Sequence, residues 1–158
     1  MKTRIIFITG LLLGIAISGL EFVKMFAEQL DYANFLKIAS MMFIILIIVA
    51  LYWGLKEIRE RCYNETKIFK FSKAFFYGSC ISFLAFIVIF LYLILHYSYI
   101  DMDGLQRISE NNSTLPPLTN VVSASLMFAF IDLLYAIFFN LFVAIYVHRK
   151  PQQIVTEN

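Results

Sequence analysis

Read from its first residue, the chain delivers apolar side chains in four long blocks separated by shorter polar stretches. The blocks predict helical spans at about 5–26, 36–57, 74–98 and 121–147, because a helix needs about 20 mostly apolar residues to cross about 30 Å of hydrocarbon. Strands of a barrel would instead alternate apolar and polar positions over about 10 residues, and no such alternation runs through the blocks. The expected fold is therefore all-α, an integral-membrane four-helix bundle. It forms one transmembrane domain over residues 1–158, with an inner loop at 58–73 and an outer loop at 99–120.

The first block admits a rival reading. Met1–Arg4, an apolar run, and Ala16-Ile17-Ser18 before Gly19 have the form of a signal peptide with a small-x-small cleavage site. Against cleavage, the apolar character continues through Leu20, Phe22, Val23, Met25 and Phe26, so the expectation is a retained span.

Basic residues orient the spans. Lys2 and Arg4 precede the first. Lys56, Arg59, Arg61, Lys67, Lys70 and Lys73 lie between the second and third, and Arg149 and Lys150 follow the fourth. Ten of the 13 basic residues thus fall on one side, with only Lys24, Lys37 and Arg107 toward the other. The positive-inside rule then places both termini and the 58–73 loop in the cytoplasm. Asp101, Asp103 and Glu110 face outward, followed by the turn and coil chemistry of Asn111-Asn112-Ser113-Thr114-Leu115-Pro116-Pro117. Phe69 and Phe71 are expected to anchor at the inner interface.

Composition agrees with a membrane class. Apolar residues make up 61% and charged residues 15% of the chain, against about 45–50% and about 25% in soluble domains. The net charge of +2 needs no nucleic-acid partner, since the basic residues sit where topology and anionic head groups place them. The expected partners are the lipid bilayer and a second copy or another membrane protein, with no nucleic acid.

Candidate chemistry lies in the few polar groups inside the spans, because charge within hydrocarbon is costly and defaults to a functional hypothesis. Asp132 lies 17 residues before Arg149, and Glu21 lies 17 residues after Arg4. At 1.5 Å per residue both stand about 25 Å above the inner interface. Lys24 follows Glu21 by three and shares its helix face. Lys37, Ser40, Tyr92 and His96 fall near the same layer by the same count. Asp132, Glu21 and Lys24 are therefore the candidate intramembrane polar cluster, able to hold a cation or a proton. The plainer alternative is a Glu21–Lys24 surface pair with Asp132 bonded to a hydroxyl or protonated.

A second set of residues reads as packing. Gly10, Gly14 and Ser18 recur at a spacing of four, which lets another helix approach closely. The expected neighbour belongs to the same chain; homodimerisation is the alternative. Asn140 and Ser82 each lie nine residues from the inner basic residues Arg149 and Lys73. They are expected to bond the fourth span to the third.

Other motifs are sparse. Cys62 and Cys80 make no Cys-x-x-Cys. His96 and His148 fall on opposite sides of the membrane, so they cannot share a metal. Asp101-Met102-Asp103-Gly104 lacks the later ligands of a calcium loop. Asn64-Glu65-Thr66, Asn111 and Asn112 fit the glycosylation pattern. No Walker loop, zinc motif or nucleophile elbow is present, so neither metal nor cofactor is expected.

Two stretches resemble a known family. Tyr52-Trp53-Gly54-Leu55-Lys56-Glu57-Ile58-Arg59 is similar to the Gly-x-x-x-x-Arg exit from the second helix of the domain of unknown function 4199 family. Phe71-Ser72-Lys73-Ala74-Phe75-Phe76-Tyr77-Gly78 is similar to that family's Phe-x-x-Ala-Phe-x-x-Gly entry to the third. The resemblance implies a four-span protein of the bacterial inner (plasma) membrane, and it implies no activity. The expected function is non-enzymatic, through helix–helix or partner contacts. The alternative is a proton- or cation-linked transporter or accessory subunit using the outer-leaflet carboxylates.

Overall fold

The computed structural model describes residues 2–29, 33–66, 69–102, 104, 106 and 120–149. Arg107, Glu110, the Asn111–Pro117 segment, Asp103, Lys67 and Lys150 lie outside the described residues. Among the described residues four long helices make the fold: α1 (Lys2–Gln29), α2 (Ala33–Thr66), α3 (Phe71–Leu95) and α4 (Val121–Arg149). All four are long and apolar enough to cross a membrane. The protein is an all-α, multi-pass four-helix bundle.

Helix ends follow local chemistry. The Asn120 side chain caps α4, its Oδ1 accepting from the backbone N–H of Val122 at 2.9 Å, as a short polar N-cap does. Much of the segment expected as inner loop is helix, because α2 continues to Thr66. There Glu57 accepts from Arg61 at 2.8 Å and Lys56 lies 3.8 Å from Glu60. Such i,i+4 pairs support a helix along its exposed face. Phe69 is not an interfacial anchor. It is buried, closing the inner end of the bundle, and its carbonyl accepts from His148 Nδ1 at 3.0 Å.

At its outer end α3 widens into one π-helical turn, His96–Ile100, in which the Asp101 N–H reaches back to the His96 carbonyl at 2.9 Å. Within this turn the consecutive residues His96 and Tyr97 are both buried. One-turn π insertions of this kind concentrate at functional sites.

Neighbouring helices are α1–α2, α1–α3, α3–α4 and α2–α4, and the α2–α3 connection crosses the diagonal of the bundle. α1 and α3 run parallel, Gly10 meeting Ile81 and Leu84, and Gly14 meeting Ala85 and Val88. α2 and α4 are also parallel, with Phe43 against Tyr135 and Tyr52 against Tyr146. The axis of the bundle is filled by Ile47, Leu51, Leu55, Ile58 and Ile81, all fully buried. α2 is the least covered of the four spans.

Candidate functional site

The outer half of the bundle gathers most of its intramembrane polar groups. On α1, three residues of helical spacing put Glu21 and Lys24 on one face, and Lys24 Nζ lies 2.6 Å from Glu21 Oε1. Both side chains are only about one-fifth exposed, 21% and 20%. The Lys24 ammonium also stands 5.4 Å from the centre of the Phe43 ring of α2, close enough for a cation–π attraction. Phe43 in turn meets Tyr135 of α4 edge-on at 6.4 Å. Asp132 is one turn from Tyr135 on the same helix. Lys24 and Glu21 thus form a pair on α1, and the Phe43 ring links it to the turn of α4 that carries the half-buried Asp132.

α3 extends this layer. Its Tyr92 hydroxyl is hydrogen-bonded to His96 Nδ1 at 3.3 Å. His96 is 3% exposed. It is boxed by Phe22 edge-on at 6.4 Å and by Tyr97 at 5.4 Å. Asp101, at the mouth of the π-turn, acts on the His96 ring. Its carboxyl folds over Gly104, whose N–H donates to the Asp101 carbonyl at 3.1 Å. Lys37 and Ser40 do not join this layer. Both are exposed on α2, and the Ser40 hydroxyl is satisfied by the Leu36 carbonyl at 2.9 Å.

The inner half is a packing device. The Asn140 amide of α4 donates to the Phe75 carbonyl at 2.9 Å and to Ser79 Oγ at 3.2 Å. The expected Asn140–Ser82 bond is absent: Ser82 Oγ donates to the Gly78 carbonyl of its own helix at 3.0 Å. The error is one helical turn. Counting from Arg149 and Lys73 assumes that α3 and α4 end level, whereas His148 reaches Phe69, four residues beyond Lys73. Gly78 makes room for the amide, since a Cβ there would collide with the Asn140 side chain.

Gly10 and Gly14 seat α1 on α3. A Cβ on either would lie 2.6 Å from the Cβ of Leu84 or Val88. Ser18 continues the stripe and is buried. This face is occupied within the chain and offers nothing to a second copy. Residues 16–18, read above as a cleavage motif, lie inside α1 with Ile17 and Ser18 packed in the bundle. His96 and His148 stand at opposite ends of the bundle. Among the described residues, no three His, Cys, Asp or Glu side chains gather closely enough to hold a metal ion.

Several participants carried little signal in the sequence. Gly78 stands four residues from both Ala74 and Ser82, a small-residue spacing like that of α1. Phe43 is one aromatic among 17 phenylalanines, and only the fold shows it beside a buried ammonium. Ser125 is fully buried near the outer end of α4, yet it reads as part of a polar helix start.

Comparison with known proteins changes the family. The model of the family described as TMEM128 protein matches residues 35–147, from the start of the second span almost to the end of the fourth. That match overturns the resemblance to the domain of unknown function 4199 family, whose two supporting motifs are short segments at helix ends. The placement in a bacterial inner membrane rested on that resemblance and loses its support. No curated protein and no solved structure matches the chain.

Proposed function

The chain belongs to the TMEM128 protein family, and on that premise we propose that it is a non-enzymatic membrane protein whose activity is contact with other membrane helices. The observation that carries this reading is the outward face of α2. Ile38, Met41, Met42, Ile45, Val49 and Trp53 are all exposed and recur at three- and four-residue spacing, the form of a helix-packing seam. The other seams, on α1 and between α3 and α4, are already filled by Leu84, Val88 and Asn140. In this reading both termini and the basic segment at 58–73 face the cytoplasm, supported by exposed Arg4, Lys56, Lys73 and Arg149 at one end of the bundle.

The test is a photo-crosslinking residue at Ile45 or Val49, compared with Leu134 or Phe138 on the exposed face of α4, in native membranes. A discrete protein adduct from the α2 positions alone is expected. Lipid adducts at all four positions would sink the proposal.

The half-buried Glu21–Lys24 pair and the carboxyl of Asp132 within an apolar span favour a second reading, proton- or cation-linked transport. Its check is ion or proton uptake by vesicles containing the protein, compared with Asp132→Asn vesicles. Equal uptake by the two rejects it.

A further inference from the structure

Basic residues at the end of the bundle where α1 and α3 begin fall into two sets. On α2, Lys56 lies 3.8 Å from Glu60 and Arg61 donates to Glu57 at 2.8 Å. Each of these two cations has its own carboxylate. Arg4 at the start of α1, Lys70 and Lys73 at the start of α3, and Arg149 at the end of α4 are different. All four are exposed, and none makes an ion pair among the described residues. The first turns of α1 and α3 hold no acidic residue that could answer them. The four cations share one rim. α1 and α3 start side by side, because they run parallel with Gly10 seated on Ile81 and Leu84. His148 Nδ1 donates to the Phe69 carbonyl at 3.0 Å, which holds the end of α4 against the residue before Lys70.

An exposed ring accompanies the cation on each of these three helices. Phe7 lies three residues after Arg4, Phe76 three after Lys73, and Tyr146 three before Arg149, in each case further into the span. All three rings are exposed, and residues three apart share a helix face. A cation at the rim with an apolar ring just inside it matches the two parts of a phospholipid, a phosphate headgroup and the upper acyl chain. A soluble anion would have no use for the ring. α2 repeats the pattern with Lys56 and the exposed Trp53, but there Glu60 answers the charge.

We propose that the rim of Arg4, Lys70, Lys73 and Arg149 binds the headgroups of anionic phospholipids, whose acyl chains lie on Phe7, Phe76 and Tyr146, and that α2 does not select lipid by charge. A Lys or Arg near the membrane surface favours an anionic headgroup by about fivefold. The attraction is screened as salt shortens the Debye length from about 10 Å to about 3 Å. Lipid binding of this kind is separate from helix contact through α2, since it uses the other three helices, and it holds whichever way the bundle faces.

The test is electron spin resonance on the full chain in phosphatidylcholine vesicles, with a trace of either phosphatidylserine or phosphatidylcholine spin-labelled on its acyl chain. The immobilised fraction measures lipid held against the protein. Phosphatidylserine is expected to be held in preference, and about 1 M sodium chloride should remove most of that preference. Arg4→Gln, Lys70→Gln, Lys73→Gln and Arg149→Gln should each lower it by up to about fivefold, whereas Lys56→Gln with Glu60→Gln should leave it unchanged. Equal immobilisation of the two lipids by the native chain overturns the proposal, as does a preference that salt does not alter, which requires no variant to fold. Indifference to all four rim substitutions, or an equal loss in the α2 double variant, also overturns it. Displacement of the phosphatidylserine by inorganic phosphate at constant ionic strength would mean that the rim takes a free anion, and would reject the lipid as its occupant.

Discussion

At the scale of single residues, the bundle depends on where a side chain is missing as much as on where one is present. Asn140 is fully buried and its amide bridges to two groups of α3. Interhelical hydrogen bonds within membranes contribute modestly, about 0.6 kcal/mol on average and up to about 1.7. Asn140→Ala should therefore lower stability by about 1–2 kcal/mol once the lost contact is added. Gly78→Ala should cost about 1–3 kcal/mol, because its methyl group overpacks against that amide. The two effects are not independent. In the Asn140→Ala background the Gly78→Ala cost should largely vanish, since the group it strikes has gone. Denaturant titrations of the four proteins in mixed micelles measure the cycle, and strictly additive losses would show that Gly78 and Asn140 do not share this site.

At the scale of elements, α1 has one face committed to α3 and another without neighbours. Gly10 and Gly14 bring the α1 backbone close to the Ile81 and Ala85 carbonyls, and a Cβ would stand 2.9 and 3.0 Å from those oxygens. A Cβ on Gly19, by contrast, meets nothing within 4 Å. Gly14→Ala is thus expected to destabilise the bundle by about 1–3 kcal/mol through overpacking. Gly19→Ala should be neutral or stabilising by about 0.5–1 kcal/mol, because alanine loses less freedom in a helix. Thermal melts of both variants followed by circular dichroism separate the two outcomes, and equal losses would mean that the small-residue spacing is not what seats α1. The same helix marks how far sequence reasoning reaches. Spacing alone makes the Gly10–Gly14–Ser18 stripe legible, because i and i+4 share a face whatever lies opposite. Which helix lies opposite is not legible, since a parallel α1–α3 neighbour depends on a diagonal connection that no local pattern encodes. The Asn140 partner was misplaced for a related reason: depth counting gives a level along the membrane, whereas a bond also needs the register between helices.

At the scale of the whole molecule, polarity is distributed by layer. The Glu21–Lys24 pair was readable in advance, because residues three apart on a helix share a face. The Ser18 and Ser125 hydroxyls are buried with no hydrogen-bond partner among the described residues, which was not readable, since a serine that back-bonds and one that does not look alike in a sequence. The basic ends of the bundle bear on orientation. Lys56 and Glu60 are both more than half exposed at the inner end of α2, and Met102 is 70% exposed beyond the π-turn of α3. Between them lie α3 and the outer layer, too long an apolar path for both sites to share a compartment if the four helices cross the membrane. With Cys62 and Cys80 replaced, single cysteines at Glu60 and Met102 should react with an impermeant maleimide from opposite sides of sealed vesicles. The positive-inside rule further assigns the Glu60 side to the cytoplasm, so in intact cells Met102→Cys is expected to face away from the cytosol and Glu60→Cys toward it. Labelling of both from one side would remove the four-span topology. Labelling from opposite sides with the cytosolic assignment exchanged would keep the topology and invert it.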